Sequence, residues 1–216
     1  MFGTQHLALF IVSGLLLNLT PGPDSIYIAT RAAKQGFKAG SAAALGIGTG
    51  TLVHVCAAAF GLSALLAASS MAFTVVKLVG AAYLAWVGIS LLRSRAAPAE
   101  SADADRTLPR LADAPLGKIF WQGFWTNVLN PKVALFFLAF VPQFIDPASA
   151  HKAGAFLFLG VVFDINGMLY CHTLAFLAAT ASQRFQAGQR LAHWLNRSVG
   201  ALFLFLAARL AFARQT

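Results

Sequence analysis

Charge is what this sequence has least of. Of 216 residues only 11% are Asp, Glu, Lys or Arg, and 58% are hydrophobic; an ordinary soluble domain carries roughly 25% charged residues. A soluble chain of this size needs a polar shell, and the residues to build one are missing. Cysteine is scarce as well. Cys56 and Cys171 both fall inside apolar stretches and read as small buried hydrophobes, with nothing to support a redox pair. The first residues have no basic segment, and their apolar run continues into Thr20-Pro21-Gly22-Pro23 rather than ending at a small-residue cleavage site. The run is therefore expected to be a first span rather than a secretory signal. No Gly-x-Ser-x-Gly or His-Glu-x-x-His pattern occurs, no cofactor or metal motif is present, and the five histidines (His6, His54, His151, His172, His193) are scattered.

What the sequence does have is long apolar runs. Residues 39–76 contain no formal charge. A membrane span needs about 20 apolar residues, so this run predicts two helices with a bend near Ala68-Ser69-Ser70. Other charge-poor stretches complete a set of six expected spans, near 6–30, 39–67, 71–92, 117–145, 153–181 and 194–213.

A net charge of +9 raises the question of a nucleic-acid partner, and the placement of the charge answers it. Arg31, Lys34 and Lys38 follow span 1; Arg93, Arg95, Arg106, Arg110 and Lys118 lie between spans 3 and 4; Arg184, Arg190 and Arg197 lie between spans 5 and 6. These loops share one side of the membrane and hold 11 of the 16 basic residues. The positive-inside rule makes that side cytoplasmic and both termini periplasmic. The partner implied is the lipid bilayer, and no nucleic acid is expected.

The chain also repeats itself. Gly14, Asn18 and Pro21 correspond to Gly123, Asn127 and Pro131 with one inserted residue. Gly50 and His54 follow Pro21 at the distances at which Gly160 and Asp164 follow Pro131. Lys77-x-x-Gly80-Ala81-x-Tyr83-Leu84 recurs as Arg197-x-x-Gly200-Ala201-x-Phe203-Leu204. Each half has three spans, an odd number, so the second half inserts upside down relative to the first. The reading is an all-α integral membrane protein of six helices in two inverted repeats, 1–93 and 117–216. They are joined by a cytoplasmic linker, 94–116, rich in Ala, Pro and mixed charge.

Prolines predict breaks in helices 1 and 4. Pro21, Pro23 and Pro131 have no amide hydrogen to offer the carbonyls of Leu17, Leu19 and Asn127. The residues before them, Thr20, Gly22 and Asn130, are pushed out of helical geometry. The helices can restart with Gly22 or Asn130 as N-cap and Pro23 or Pro131 at the first position. Unpaired backbone at membrane depth is tolerated only where protein or water lines it, so symmetric breaks mark a candidate binding site near the midplane.

Four charged or titratable residues lie at that depth. Asp24 and Lys132 each sit one residue beyond a break, and His54 and Asp164 occupy equivalent mid-span positions. An intramembrane charge costs about 2.5–3.5 kcal/mol on insertion scales and normally faces a partner or a cavity. Asp24 suits a helix N-terminus, and Lys132 does not. Pairing of Lys132 with Asp24 or Asp164, or with an anionic ligand, is therefore expected. His54 either donates to a neighbouring carbonyl or takes part in proton transfer. His172, near the face of Asp164, is a weaker candidate. Asn18, Asn127 and Asn130 are expected to satisfy the freed backbone groups and line the site.

Asn18-x-Thr20-Pro21-Gly22-Pro23-Asp24, followed by Arg31, Gly36, Gly40, Gly46 and Gly50, resembles the first repeat of the lysine exporter (LysE-type) superfamily. The resemblance is closest to its homoserine/threonine exporter (RhtB-like) branch. Gly80-Ala81-Ala82-Tyr83-Leu84, and Asn127-x-x-Asn130-Pro131-Lys132 with Pro142-Gln143-Phe144, extend it over nearly the whole chain. It implies a secondary transporter of the bacterial inner membrane that exports amino acids or close derivatives by proton antiport. A zwitterionic substrate needs an anion site and a cation site. The helix N-termini with Lys132 would supply the first, and Asp24 or Asp164 the second. The expected substrate-binding set is Asn18, Thr20, Pro21, Gly22, Pro23, Asp24, Asn127, Asn130, Pro131 and Lys132, and the expected proton-coupling set is Asp24, His54 and Asp164. Asp164 belongs to no family motif and rests on local physics alone. Metal-ion efflux is one alternative. An intramembrane enzyme with Ser25 and His54 as nucleophile and base is the other. A homo-oligomer stays open, as does the identity of the amino acid.

Overall fold

A computed structural model describes residues 2–62, 64, 70–93, 113–146 and 148–180, together with helical positions 197, 200, 201, 204, 205, 207 and 208. The expected bend at 68–69, most of the linker, the arginines at 95, 106, 110, 184 and 190, and most of span 6 lie outside the described residues.

Apart from an isolated bridge between Thr4 and Ile145, the regular structure among those residues is helical. Span 1 is the pair α1 (Leu7–Leu19) and α2 (Pro23–Gln35), bent by 58°. Span 2 is α3 (Phe37–Cys56), which continues through a π-helical turn at Ala57–Leu62. Span 3 is α4 (Ser70–Arg93). Span 4 starts as α5 (Leu116–Val128) and resumes as α6 (Pro131–Leu135) after a bend of 46°. It then loosens into a π-helical turn at Phe136–Phe140 and ends in a 3-10 turn at Val141–Phe144. Pro142 cannot donate to the carbonyl of Leu138, so the regular ladder does not continue there. Span 5 is α7 (Lys152–Thr180), whose 29 residues are long and apolar enough to cross a membrane, as are the 25 of Phe37–Gly61.

Loop contacts fix the relative direction of the two halves. At one face, the Gln5 amide donates to the Phe144 carbonyl and the Asp146 amide to the Gly3 carbonyl, both at 2.8 Å. The start of span 1 therefore meets the end of span 4. At the other face the Gln35 side chain donates to the Ala114 carbonyl at 3.1 Å and Lys34 lies 4.0 Å from Asp113, so the end of span 1 meets the start of span 4. The two broken spans run antiparallel, as inverted repeats require.

Two cores flank the breaks. One is aromatic, built from Phe10, Phe136, Phe137, Phe140, Phe144, Phe156 and Phe163, with Phe136 and Phe163 ring centroids 4.5 Å apart. The other is made of small residues, with Ala32, Ala39, Ala43, Ala44 and Ala175 around Ile28, Ile47 and Ile119. In a bilayer there is little hydrophobic gain from bringing helices together, so close backbone approach supplies the packing. Gly46 shows how close. A Cβ there would run into the Phe120 carbonyl oxygen, and one at Gly123 would lie 2.6 Å from the Ala43 carbonyl oxygen. Gly36, at φ +82° and ψ 178°, makes the turn from α2 into α3 in a region that L side chains rarely adopt.

Arg31 needs a correction. It reads from the sequence as a cytoplasmic loop charge, yet α2 extends to Gln35 and Arg31 is only 2% exposed. Its guanidinium donates to Gln35 Oε1 at 3.0 Å and Gln122 Oε1 at 2.8 Å, and lies 5.6 Å from the centre of the Tyr27 ring. The Tyr27 hydroxyl donates to the Ile119 carbonyl at 3.0 Å. This arginine fastens α2 to α5.

Candidate functional site

The breaks form where proline requires them. At the end of α1 the Thr20 amide donates to the carbonyls of Leu16 and Leu17, both at 3.2 Å, and Gly22 caps α2 with Pro23 at its first position. At the end of α5 the Asn130 amide donates to the Asn127 carbonyl at 2.9 Å. Asn130 then caps α6, its Oδ1 accepting from the Lys132 amide at 3.0 Å. The N-caps are those expected from the prolines.

The carbonyls of Leu17, Thr20 and Asn127 also take a side-chain donor from the other repeat. Lys132 Nζ donates to the carbonyls of Leu17 and Thr20, both at 2.9 Å. His54 Nε2 bonds to the Asn127 carbonyl at 3.0 Å, and its ring lies parallel to Phe137 within 9°. A carbonyl only accepts, so Nε2 carries the proton. Each repeat thus supplies a basic side chain that caps the broken helix of the other. Placing Lys132 against the C-terminal carbonyls of α1 also puts a cation at the negative end of a helix dipole, which offsets its unfavourable place at the start of α6.

Of the two partners expected for Lys132, a carboxylate of the chain or an anionic ligand, the first is not in hydrogen-bonding reach here. Neither Asp24 nor Asp164 lies within 4.0 Å of its ammonium, and two of its three donors are used on backbone. The expected role of Asn18 and Asn127 changes too. Asn127 Nδ2 donates to Asp24 Oδ2 at 2.8 Å, and Thr51 Oγ1 donates to Asn127 Oδ1 at 3.4 Å. Asn18 Nδ2 is buried with no hydrogen-bond partner, and so is Asp24 Oδ1. Of the three asparagines only Asn130 satisfies a freed backbone group through its side chain.

Asn18, Gly22, Asp24, Asn127, Asn130, Lys132 and Asp164 come together around one cavity of about 50 Å3. Thr20, Pro21, Pro23, Pro131 and His54 do not line it; they shape or cap the breaks behind it. The wall also holds residues that the sequence did not single out for binding: Ser25, Gly48, Thr51, Met168 and Tyr170. Tyr170 donates to Ser25 Oγ at 3.4 Å. Thr51, one turn before His54, carried the only local hint, a hydroxyl on the face of a polar mid-span residue. Ligand sites generally occupy roughly 300–1,000 Å3, so this cavity is closed around the space of a water or two.

His172 stands apart. Its Nδ1 donates to the Met168 carbonyl at 2.9 Å and its Nε2 meets the Ser41 hydroxyl at 3.1 Å. Among the described residues no three His, Cys, Asp or Glu side chains gather where a metal ion would be held. A Ser25–His54 nucleophile pair is not assembled either, since His54 Nε2 is committed to a carbonyl and Ser25 faces Tyr170.

The broken antiparallel spans and the cavity with charged and polar side chains in its wall suit a membrane transporter. Residues 15–214 match the family model described as LysE type translocator, and the chain belongs to that family. It is a translocator rather than an enzyme. The chain is 32% identical to an uncharacterised membrane protein of Pseudomonas aeruginosa over 94% of each chain. It is 30% identical to a leucine efflux protein of Enterobacter sp. strain 638 over 97% of each, and 32% identical to a homoserine/homoserine lactone efflux protein of Salmonella typhi over 95% of each. No solved structure matches it significantly.

Proposed function

We propose that the protein exports neutral amino acids with short aliphatic or hydroxylated side chains, leucine and homoserine among them, across the bacterial inner membrane in exchange for protons. The observation that carries this reading is the pair of unsatisfied buried groups in the cavity, Asn18 Nδ2 and Asp24 Oδ1. A buried donor or acceptor left unpaired costs about 1–3 kcal/mol. An orphan donor and an orphan carboxylate oxygen suit the carboxylate and the ammonium of one zwitterion. The rest of the wall is apolar at Leu17, Ile47, Val133, Phe163 and Met168, which suits an uncharged side chain. The names of the relatives, leucine efflux and homoserine/homoserine lactone efflux, point the same way.

The charge count of the wall, two carboxylates against one ammonium, supports proton coupling. Asp24 is held by Asn127, whereas Asp164 has no hydrogen-bond partner among the described residues. A proton and a substrate ammonium then compete for the same negative charge, so loading one favours release of the other. In proteoliposomes, labelled leucine and homoserine should move against an imposed pH gradient, and leucinamide, which lacks the carboxylate, should move far more slowly. The Asp164→Asn variant should still bind leucine but respond little to the gradient. Failure of the native protein to move either amino acid rejects the reading.

The orientation belongs to the same proposal. With the repeats bounded at 1–93 and 117–216, the basic residues of the three loops, Arg31 set aside, lie on the cytoplasmic side and both termini in the periplasm. A reporter fused at Thr216 should be active as an extracytoplasmic enzyme and silent as a cytoplasmic one. The reverse pattern would turn the protein over.

A further inference from the structure

A cavity of about 50 Å3 does not admit an amino acid, so part of its wall must yield when substrate enters. Most of the wall is tethered. Phe163 is locked between Phe136 and Phe137, with ring centroids 4.5 and 5.5 Å away. Lys132 is bound to two carbonyls and Tyr170 to Ser25. Leu17 and Ile47 are 3% and 5% exposed within the two packed cores. Met168 differs from all of these. Its backbone is fixed, because its carbonyl accepts from His172, but its side chain has no polar tether. Methionine is also the apolar residue with the most rotatable bonds, and it fills irregular gaps.

Its resting place is set by one absent atom. Met168 lies across the bare Cα of Gly48 on α3, where an added Cβ would sit 2.5 Å from its Sδ and 3.4 Å from Asp164 Oδ1. On α7, Met168 is one turn beyond Asp164, a rise of about 6 Å. A head group held by the carboxylates would therefore direct a leucine-sized side chain toward the thioether.

We propose that Met168, seated on Gly48, is the movable wall of the cavity and sets the size of side chain the transporter accepts. The proposal rests on amino-acid export as the function. Gly48→Ala should push the thioether into the cavity; Met168→Ala should enlarge it; the double variant should return toward the native profile. The measurement is the initial export rate of labelled alanine, leucine and phenylalanine from proteoliposomes, read as ratios between substrates.

Gly48→Ala should lower the leucine-to-alanine ratio about tenfold, the low end of what one methylene decides in an apolar pocket. Met168→Ala should raise the phenylalanine-to-leucine ratio by a similar factor of about ten. A helix-packing defect alone would lower all three rates together and leave the ratios unchanged, and unchanged ratios in both single variants overturn the proposal. If Gly48→Ala does not insert, the phenylalanine ratio of Met168→Ala decides alone. A native protein that exports none of the three removes the function itself. Native export with ratios indifferent to residue 168 removes only the role of Met168.

Discussion

Asp24→Asn is expected to lower amino-acid export by one to two orders of magnitude with the fold intact. The substituted amide can still offer an oxygen to Asn127 Nδ2, which now donates to Asp24 Oδ2 at 2.8 Å. What disappears is the charge on the oxygen that has no partner, Oδ1. Hydrogen bonds to charged groups contribute about 1.5–3 kcal/mol, or roughly ten- to a hundredfold in affinity. Transport rates measured against substrate concentration should show the loss as weakened half-saturation, and thermal unfolding in detergent should be close to native. Native-like export would take Asp24 out of the substrate site. A protein that unfolds early would make it a structural acid.

Lys132→Gln should be the more damaging substitution, and damaging for a different reason. The ammonium bridges the Leu17 and Thr20 carbonyls across the repeats at 2.9 Å each. Losing it strands the Thr20 carbonyl, at about 1–3 kcal/mol, leaves the Leu17 carbonyl only the Thr20 amide, and takes a cation from the end of α1. Export should fall to background, and the thermal midpoint should drop as well. Because neither acid is the partner of Lys132, adding Asp24→Asn or Asp164→Asn should rescue nothing. Near-native export in either double variant would reinstate the carboxylate pairing and end the cross-repeat role.

Both predictions turn on residues that the sequence singled out but whose contacts it misassigned. The prolines were enough to locate the breaks, since a missing amide hydrogen is a local fact, and the bends of 58° and 46° fall at Pro21–Pro23 and Pro131. The caps at Gly22 and Asn130 follow from the same logic. The antiparallel halves could be read from three spans per repeat. His54 and Lys132 were both visible as polar residues at depth, but their partners lie 73 to 115 residues away on the other repeat. For Lys132 the sequence pattern offered Asp24, Asp164 or an anionic ligand; for His54 it offered a carbonyl without saying which.

Arg31 shows the same limit. It lies with Lys34 and Lys38 near a span end, so it counted as a topology signal, while its partner Gln122 is set by how α2 packs on α5. In the sequence Gly46 entered only through the family resemblance, and Gly48 was not singled out. Only the packing separates them, one against the Phe120 backbone and the other beneath a movable Met168 side chain. Composition, apolar run length and proline chemistry act along the chain, and they were sufficient for the spans, the repeat and the breaks. Which buried group satisfies which is a through-space choice made when the two repeats close on each other. That closure decided the capping by Lys132 and His54, left Asn18 Nδ2 and Asp24 Oδ1 unpaired, and gave the cavity its present size.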